Sequence, residues 1–493
     1  MFDVHTLYVL AGHLPAIFLG LFVGIFFGAL PGLGMIVGIT LLLPLSYNMD
    51  AVGAILMLLA VYQGAEYGGS ISAIVLKIPG TAMAAPIMID GVPMAEQYSP
   101  GKALGYSLYG STFGGLFGAI VLVLFAMPIA DLALMLGDAE IFLLGLLGLI
   151  AVSGLAEATL VKSVIAVVLG LLVGTIGIDL MTGLPRLTMG LPELYDGPNL
   201  IAVVVGLFAI SEVLSMAAAQ INSPQTIDPK NMRTNLSLNE IKHTFRAMLT
   251  GSTVGVATGV LPGVGSTISS WIAYAAAKKL GRDQAMFGRG APEGIVAPDA
   301  ANNATVGGAL LPFLALGIPG SASIAIIAGA FVIHGVQPGP QLMRMDPQFI
   351  QDLFIGFIVT TICMFFMGRF LTTLFARALT IPRSILAPTI AALSLCGVYV
   401  SSGNFFDLWL AFGLGVATFL LRGLGYPIAN FILALILAPI IEESFRRALT
   451  ISEGSYEIFI GTPTALVLSL TAAGLIVGLT FKFIQKTAAQ TRA

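Results

Sequence analysis

The stretch Gly20–Gly34 reads GLFVGIFFGALPGLG, and its interpretation decides the fold. It is apolar enough for lipid, with glycine at every fourth position as far as Gly28. Yet Pro31-Gly32-Leu33-Gly34 interrupts it where a spanning helix needs an unbroken ladder of backbone hydrogen bonds. The rest of the chain has the same membrane-like character. Of 493 residues, 57% are hydrophobic and 10% charged, where soluble domains carry about 25% charged residues. A span takes about 20 apolar residues, which leaves room for roughly a dozen crossings and re-entrant pieces. This composition defines an all-α polytopic membrane protein in a lipid bilayer. A net charge of −3 makes nucleic acid a poor partner. Cys363 and Cys396 sit in apolar runs without C-x-x-C spacing and read as small buried hydrophobes. The start, MFDVHT, lacks the basic region of a cleavable signal, so the first segment is expected to stay in the mature protein.

A second copy of the opening stretch lies 231 residues downstream, where Gly251–Gly265 reads GSTVGVATGVLPGVG. At that fixed offset Gly20, Val23, Gly24, Gly28, Leu30, Pro31, Gly32 and Gly34 recur as Gly251, Val254, Gly255, Gly259, Leu261, Pro262, Gly263 and Gly265. Further on, Gly68-Gly69, Ile78-Pro79-Gly80-Thr81-Ala82 and Asp90-Gly91-Val92 return in order. Their counterparts are Gly307-Gly308, Ile318-Pro319-Gly320-Ser321-Ala322 and His334-Gly335-Val336. The chain is a twofold repeat. Residues 1–221 form the first copy, 222–244 a polar cytoplasmic linker, 245–460 the second copy and 461–493 a C-terminal helix and tail.

Charge gives the relative direction of the copies, because Lys and Arg in short loops mark the cytoplasmic side. Lys230, Arg233, Lys242 and Arg246 precede the second broken segment, and Lys278, Lys279, Arg282 and Arg289 follow it. Both flanks are therefore expected in the cytoplasm, which makes the segment a re-entrant hairpin. Arms of about 15 residues, or about 22 Å of helix, fall short of a ~30 Å hydrocarbon core. No Lys or Arg precedes Lys77, so the flanks of the first hairpin, Met1–His13 and Ser46–Asp50, suit the outside. The two hairpins would enter from opposite faces as inverted-topology repeats. Arg446, Arg447, Lys482 and Lys486 leave the crossing count open.

Four breaks stand out: Pro31–Gly34, Pro79–Thr81, Pro262–Gly265 and Pro319–Ser321. Irregular backbone at membrane depth survives only inside protein or beside a wet cavity, and in secondary transporters such breaks hold the solute. Helix N-termini there favour anions, and freed carbonyls favour Na⁺. Candidate substrate contacts are Gly32, Gly34, Gly80, Thr81, Gly263, Gly265, Ser266, Thr267, Gly320 and Ser321; the alternative for the hydroxyls is to reseat backbone groups or pack helices. Lys77 is a candidate for a substrate carboxylate, unless it snorkels or lies in a wet vestibule. Glu66, with Ser70, is a candidate cation ligand. Asn302 and Asn303, in GRGAPEGIVAPDAANNATVGG (288–308), offer amide oxygens to Na⁺ and amide N–H groups to a carboxylate. The alternative for Asp299 and Asn302 is helix capping. Glu157, Lys162, Asp179 and Glu212 are expected near helix ends, and His334, aligned with Asp90, at a loop position. The glycine ladders read as close helix packing.

The motifs GALPGLG, YGGSISAI, IPGT, DGVPMA, PEGIVAPDAANNA, LGIPGSAS and IHGVQPGP resemble, in order and over nearly the whole chain, the large membrane subunit of the tripartite tricarboxylate transporters. The resemblance implies a translocating subunit in the bacterial inner membrane. It also implies a small four-span membrane subunit and a periplasmic solute-binding protein as partners. Uptake of a carboxylate would be driven by a cation gradient, with Na⁺ or H⁺ as coupling ion and no other cofactor. The family more often carries Asn at the position of Lys77, an apolar residue at Glu66, Tyr at Gln63 and Glu at Asp299. Citrate-like, other di- or tricarboxylate and aromatic carboxylate solutes therefore all stay open.

The function read from the sequence is a carboxylate permease, in which paired hairpins carry the solute in an elevator-type motion. Alternatives are a channel or a stand-alone secondary transporter for small anions. A membrane-embedded enzyme fits less well: the sequence holds no H-E-x-x-H and no Ser/His/Asp set, and its four histidines are scattered. Single cysteines introduced at Asn48 and Asn235 test the topology. Reagent added from outside should label the first and spare the second.

Overall fold

A computed structural model describes residues 4–155, 159–179, 181–218, 232, 234–262, 265–281, 283–378, 381 and 383–491. The first repeat opens with α1 (Val4–Ala29), α2 (Gly34–Ser46), α3 (Ala51–Val75), α4 (Ala85–Gln97) and α5 (Pro100–Ala133). It continues through α6 (Asp138–Leu155), α7 (Leu160–Gly174), a two-stranded antiparallel ladder of β1 (Gly177–Ile178) and β2 (Pro185–Arg186), α8 (Leu200–Val204) and, after a π-helical stretch, α9 (Ser211–Ala218). The second repeat has α10 (Leu238–Gly259), α11 (Gly265–Leu280), α12 (Glu293–Leu316), α13 (Ala322–Ile333), α14 (Pro340–Met345) and α15 (Pro347–Ala378). It is followed by α16 (Arg383–Ser402), α17 (Phe405–Gly423), α18 (Ile428–Ile451) and α19 (Pro463–Thr491). Among the described residues nine helices are long and apolar enough to cross a membrane. Much of the polar linker, along with Gly263 and Glu157, lies outside the described residues. The first helix of the second repeat already begins at Leu238, inside the stretch read as linker. Its start is set by a capping box, in which Ser237 and Glu240 satisfy each other's backbone N–H groups.

All four predicted breaks separate helices. α1 and α2 fold back on each other, since Gly38 lies against Val23 and Phe27 across the tip. α10 and α11 do the same: Thr305 reaches both Gly255 and Ser269, one from each arm. The arms are unequal, not two of about 15 residues, with 26 and 13 residues in one hairpin and 22 and 16 in the other. The long first arm has its own reason. His13 approaches Asp50, the N-cap of α3, at 3.5 Å, and the residues before it continue beyond the start of that helix. In the second repeat His243 on α10 approaches Glu293, at the start of α12, at 3.4 Å. Each hairpin base is thus joined to its core helix by a histidine–carboxylate contact.

The glycine ladders set the packing. Gly20, Gly24 and Gly28 lie on the backbone of Met57, Val61 and Ala65, at a constant spacing that makes α1 and α3 parallel. Gly251, Gly255 and Gly259 lie likewise on Ala297, Ala301 and Thr305, so α10 and α12 are parallel too. A Cβ at any of these six positions would collide with a backbone carbonyl. Small residues are the condition for this approach. The helices then interlock across the repeats. α5 of the first repeat runs along α12 through Gly110, Gly114 and Gly118, while α15 of the second runs along α3 through Gly368, Thr361 and Thr372. Between them, α3 and α12 are antiparallel: Asn303 meets Gln63, and Asp299, one turn earlier, meets Ser70, two turns later. The repeats are inverted.

Pro298 and Asp299 stand inside α12, a helix that is buried in protein from Gly294 to Ala315. Asp90 lies within α4, fully buried, and its carboxylate accepts the N–H groups of Gly288, Gly290 and Ala291 and the Tyr274 hydroxyl. It ties the first repeat to the chain entering α12, whereas its repeat counterpart His334 is the C-cap of α13. Cys396 is exposed and Cys363 only half-buried, so the buried-hydrophobe reading fails for the former.

The charged residues separate by end. Asp131, Asp138, Asp179, Glu442 and Glu443 pair with Arg186, Arg344, Arg446 and Arg447 at the end where α3 begins and α5 finishes. Lys77, Lys102, Lys242, Lys278, Lys279 and Arg289 gather at the opposite end, where α3 finishes and α5, α10 and α12 begin. Replacing Gly255 by alanine should destabilise the detergent-solubilised protein by about 1–3 kcal/mol, the usual range for overpacking. Gly413→Ala, where nothing lies within 4 Å of the added methyl, should leave the melting temperature level or slightly raised.

Candidate functional site

Where the antiparallel core helices cross, each turns polar in its middle. α3 supplies Gln63, Glu66 and Ser70, and α12 supplies Asp299, Asn302 and Asn303, all of them 0% exposed. Asn302 and Asp299 lie inside α12, which removes the capping alternative. The tip of the second hairpin closes over this cluster. Ser266, in the first turn of α11, donates to Glu66 Oε1 at 2.9 Å, which also sets that carboxylate at a helix N-terminus where negative charge is favoured. Ser270 donates to Met83 O at 2.6 Å, and Asn302 Nδ2 approaches the same carbonyl at 3.5 Å. Met83 belongs to the short 3₁₀ turn after the first Ile-Pro-Gly, so one break supplies a free carbonyl to both elements of the other repeat. Asn303 Nδ2 donates to Gln63 O at 3.2 Å, and Thr361 of α15 donates to Gln63 Oε1 at 3.0 Å.

Several polar atoms in this dry interior reach no protein partner: Glu66 Oε2, Asp299 Oδ2, Asn302 Oδ1, Asn303 Oδ1, Gln63 Nε2 and Thr81 Oγ1. Neither carboxylate takes part in an ion pair among the described residues. Leaving buried polar groups unpaired costs about 1–3 kcal/mol each, and more for a charge, so a cluster of them calls for a ligand, an ion or ordered water. It is rich in oxygen and has no basic side chain. That chemistry suits a hard monovalent cation and a hydrogen-bonding solute, and it suits a transition metal poorly.

The remaining predicted residues fall in different places. Ser321 is an N-cap, accepting from Ile324 N–H, with the Tyr62 hydroxyl 3.4 Å away. Thr81 is buried against Gly69, while Thr267 is half-buried on α11. Gly80 and Gly320 are buried, and each is pressed onto the carbonyl of Gly28 or Gly259 at the end of a hairpin arm. Gly34 and Gly265 take positive φ of 69° and 65° as each second arm begins, and Gly32, φ 90°, is exposed at the first tip. Lys77 is a correction. It lies beyond the end of α3, about three-fifths exposed, in a left-handed turn (φ 57°), and its ammonium pairs with Glu96 at 2.5 Å. It belongs to the basic end of the molecule, away from the buried cluster. Sequence reasoning missed Ser107 and Ser111 of α5, which lie beside Asp299. Their signal was present as two hydroxyls one turn apart, flanking Gly110 in an apolar helix.

Away from this cluster, a cavity of about 460 Å³ is lined by Asp179, Arg186, Tyr195, Glu442 and Arg446. Its charges satisfy one another, and Asp179 also caps the turn at Met181 and Thr182. This is a structural clasp between the β1–β2 loop and α18.

The fold and the cluster define a polytopic α-helical membrane protein with inverted repeats around an occluded polar site. The family model described as "Tripartite tricarboxylate transporter TctA family" matches residues 14–433, and the chain belongs to that family. It is 35% identical over 459 residues to an uncharacterized 52.8 kDa protein in the TAR-I ttuC′ 3′ region of Agrobacterium vitis, covering 93% of this chain and 91% of that one. It is also 34% identical over 222 residues to an uncharacterized protein in the TAR-II ttuC′ 3′ region of the same organism, covering 45% of this chain and 91% of that one. No solved structure matches.

The clasp carries a pH prediction. The Arg446 guanidinium, with the N–H groups of Met181 and Thr182, holds the Asp179 carboxyl down from 3.8 to about 2. A depressed carboxylate pKa adds stability above its ordinary value that is lost as pH falls through the folded one. The melting temperature of the wild type should exceed that of Asp179→Asn near neutrality, and the gap should close between about pH 4 and pH 2.

Proposed function

We propose that this chain is the translocating subunit of a binding-protein-dependent importer for carboxylates, driven by a cation gradient. The observation that carries the reading is the meeting of the second hairpin tip, the first Ile-Pro-Gly break and both core helices on one buried, partly unpaired polar cluster. Two carboxylates there would repel an anionic solute. A bound cation lowers that repulsion, which is a physical reason for symport of a carboxylate with Na⁺ or H⁺. Family membership supports the partners: a small four-span membrane subunit and a periplasmic solute-binding protein, at a bacterial inner membrane. The ends of the molecule fit this orientation. Lysines collect at one end, as on a cytoplasmic face, with Lys77 and Lys102 paired to Glu96 and Glu240, and the arginines Arg186, Arg344, Arg446 and Arg447 of the other end are neutralised by acids.

Glycine contacts fasten each hairpin to its core helix and the core helices interlock, which supports their moving as one unit. An elevator motion would carry the core of α1–α5 and α10–α15 past the outer helices, with sliding at contacts such as Pro44 of α2 on Gly397 of α16. Proteoliposomes holding both membrane subunits and the binding protein should accumulate a di-, tri- or aromatic carboxylate under a Na⁺ or H⁺ gradient. No uptake under any gradient defeats the proposal, and uptake that only equilibrates points to a channel. In a background lacking Cys363 and Cys396, oxidising a Pro44→Cys/Gly397→Cys pair should stop uptake reversibly. Undiminished transport by the cross-linked protein rules out the elevator.

A further inference from the structure

Asp299 has surroundings distinct from the rest of the cluster. Gly110 lets α5 approach so closely that an added Cβ would meet Val296 and the Cβ of Asp299. Ser107 and Ser111, one helical turn apart on that face, are thereby brought beside the Asp299 carboxyl. Ser70 donates to Oδ1 at 2.7 Å from the opposite side. All four residues are 0% exposed. Ser107 and Ser111 lie within reach of the Asp299 carboxyl, yet with the hydroxyls as placed neither they nor Oδ2 completes a hydrogen bond of good geometry. One carboxylate and three hydroxyls, contributed by α3, α5 and α12, therefore converge in a dry interior.

We infer that Asp299, Ser70, Ser107 and Ser111 form a binding site for a single Na⁺ ion, the coupling ion of the proposed transport cycle. The inference rests on that reading for its role and on geometry for its location. An isolated carboxylate in the interior is costly unless it is paired or coordinates a metal. One negative charge balances a monovalent ion and leaves a divalent one uncompensated. Ca²⁺ takes 6–8 oxygens and Mg²⁺ holds to octahedral geometry with retained waters, neither of which this dry set offers. Among the described residues no three His, Cys, Asp or Glu side chains gather as a transition metal would require. The ligands also come from both repeats, so filling the site would hold α5 and α3 to α12. Ion binding would thus consolidate the same helix crossing that carries Asn302, Asn303 and Glu66.

The test needs no solute. The full chain, purified in detergent, is assayed for ²²Na⁺ binding and for melting temperature in NaCl against KCl and choline chloride at constant ionic strength. Saturable, Na⁺-selective binding and stabilisation are expected. Ser107→Ala/Ser111→Ala should weaken the affinity roughly tenfold or more, the scale of losing hydrogen-bond-strength contacts to a charged group. Asp299→Asn should abolish binding. Ser163→Ala removes another buried, unpartnered hydroxyl, on α7, and should change nothing. Should Asp299→Asn fail to give a monodisperse protein, the double alanine variant, which removes no charge, decides. The inference is overturned by absence of Na⁺-selective binding, by stability that follows pH but not Na⁺ against K⁺, or by unchanged affinity in the double variant. Intact Na⁺ binding without carboxylate uptake would strike the transport reading and leave the site standing. Uptake whose Na⁺ dependence survives the double variant would strike the site alone.

Discussion

The structure depends on backbone-to-backbone contact between a hairpin arm and a core helix, made possible by glycine. Gly20, Gly24 and Gly28 lie on α3, and Gly251, Gly255 and Gly259 on α12, at distances that leave no room for a methyl group. In lipid there is little hydrophobic drive to bring helices together, so close van der Waals contact and weak C–H···O bonds must do so. Each ladder fixes the depth of its hairpin. The tip then stops beside the middle of the core helix, and the broken backbone comes to lie next to polar side chains.

That placement accounts for the chemistry of the centre. With the second tip at the level of Glu66, Ser266 can reach its carboxylate, and Ser270 can reach the carbonyl released by the first break. The crossing of α3 and α12 brings Gln63, Ser70, Asp299, Asn302 and Asn303 together from residues more than 200 positions apart. Low dielectric raises the stakes for every one of these groups: satisfied they would lock the helices, and unsatisfied they need a ligand. Several oxygens are left over. A single-purpose structural core would have no reason to retain them.

The two ends of the molecule show a different economy of charge. At one, Arg186, Arg344, Arg446 and Arg447 are held by acids, and Asp179 joins Arg186 and Arg446 into a clasp over the β1–β2 loop. At the other, lysines such as Lys278 and Lys279 stand at helix ends, where a cation also complements the last carbonyls. Lys77 belongs with them. Its proximity in sequence to Ile-Pro-Gly suggested a solute contact, but α3 ends just before it and the left-handed turn swings it toward Glu96.

Much of the architecture was legible in the residues themselves. Glycine spacing, the aligned Pro-Gly-x-Gly and the asymmetry of Lys and Arg suffice for membrane class, twofold repetition and opposite hairpins. These features are local or periodic, and a helix displays its periodicity whatever surrounds it. The polar centre was half legible: Glu66, Ser70, Asn302 and Asn303 stood out because polar residues are rare in such runs, whereas Ser107 and Ser111 look like ordinary helix-packing serines. What made Asp299 more than a capping residue was the arrival of α5 from the other repeat. What removed Lys77 was the direction of the chain after the break, and what gave Gly80 and Gly320 a packing role was the hairpin arm beneath them. Such decisions are made by contacts between segments distant in sequence, and only the folded chain contains them.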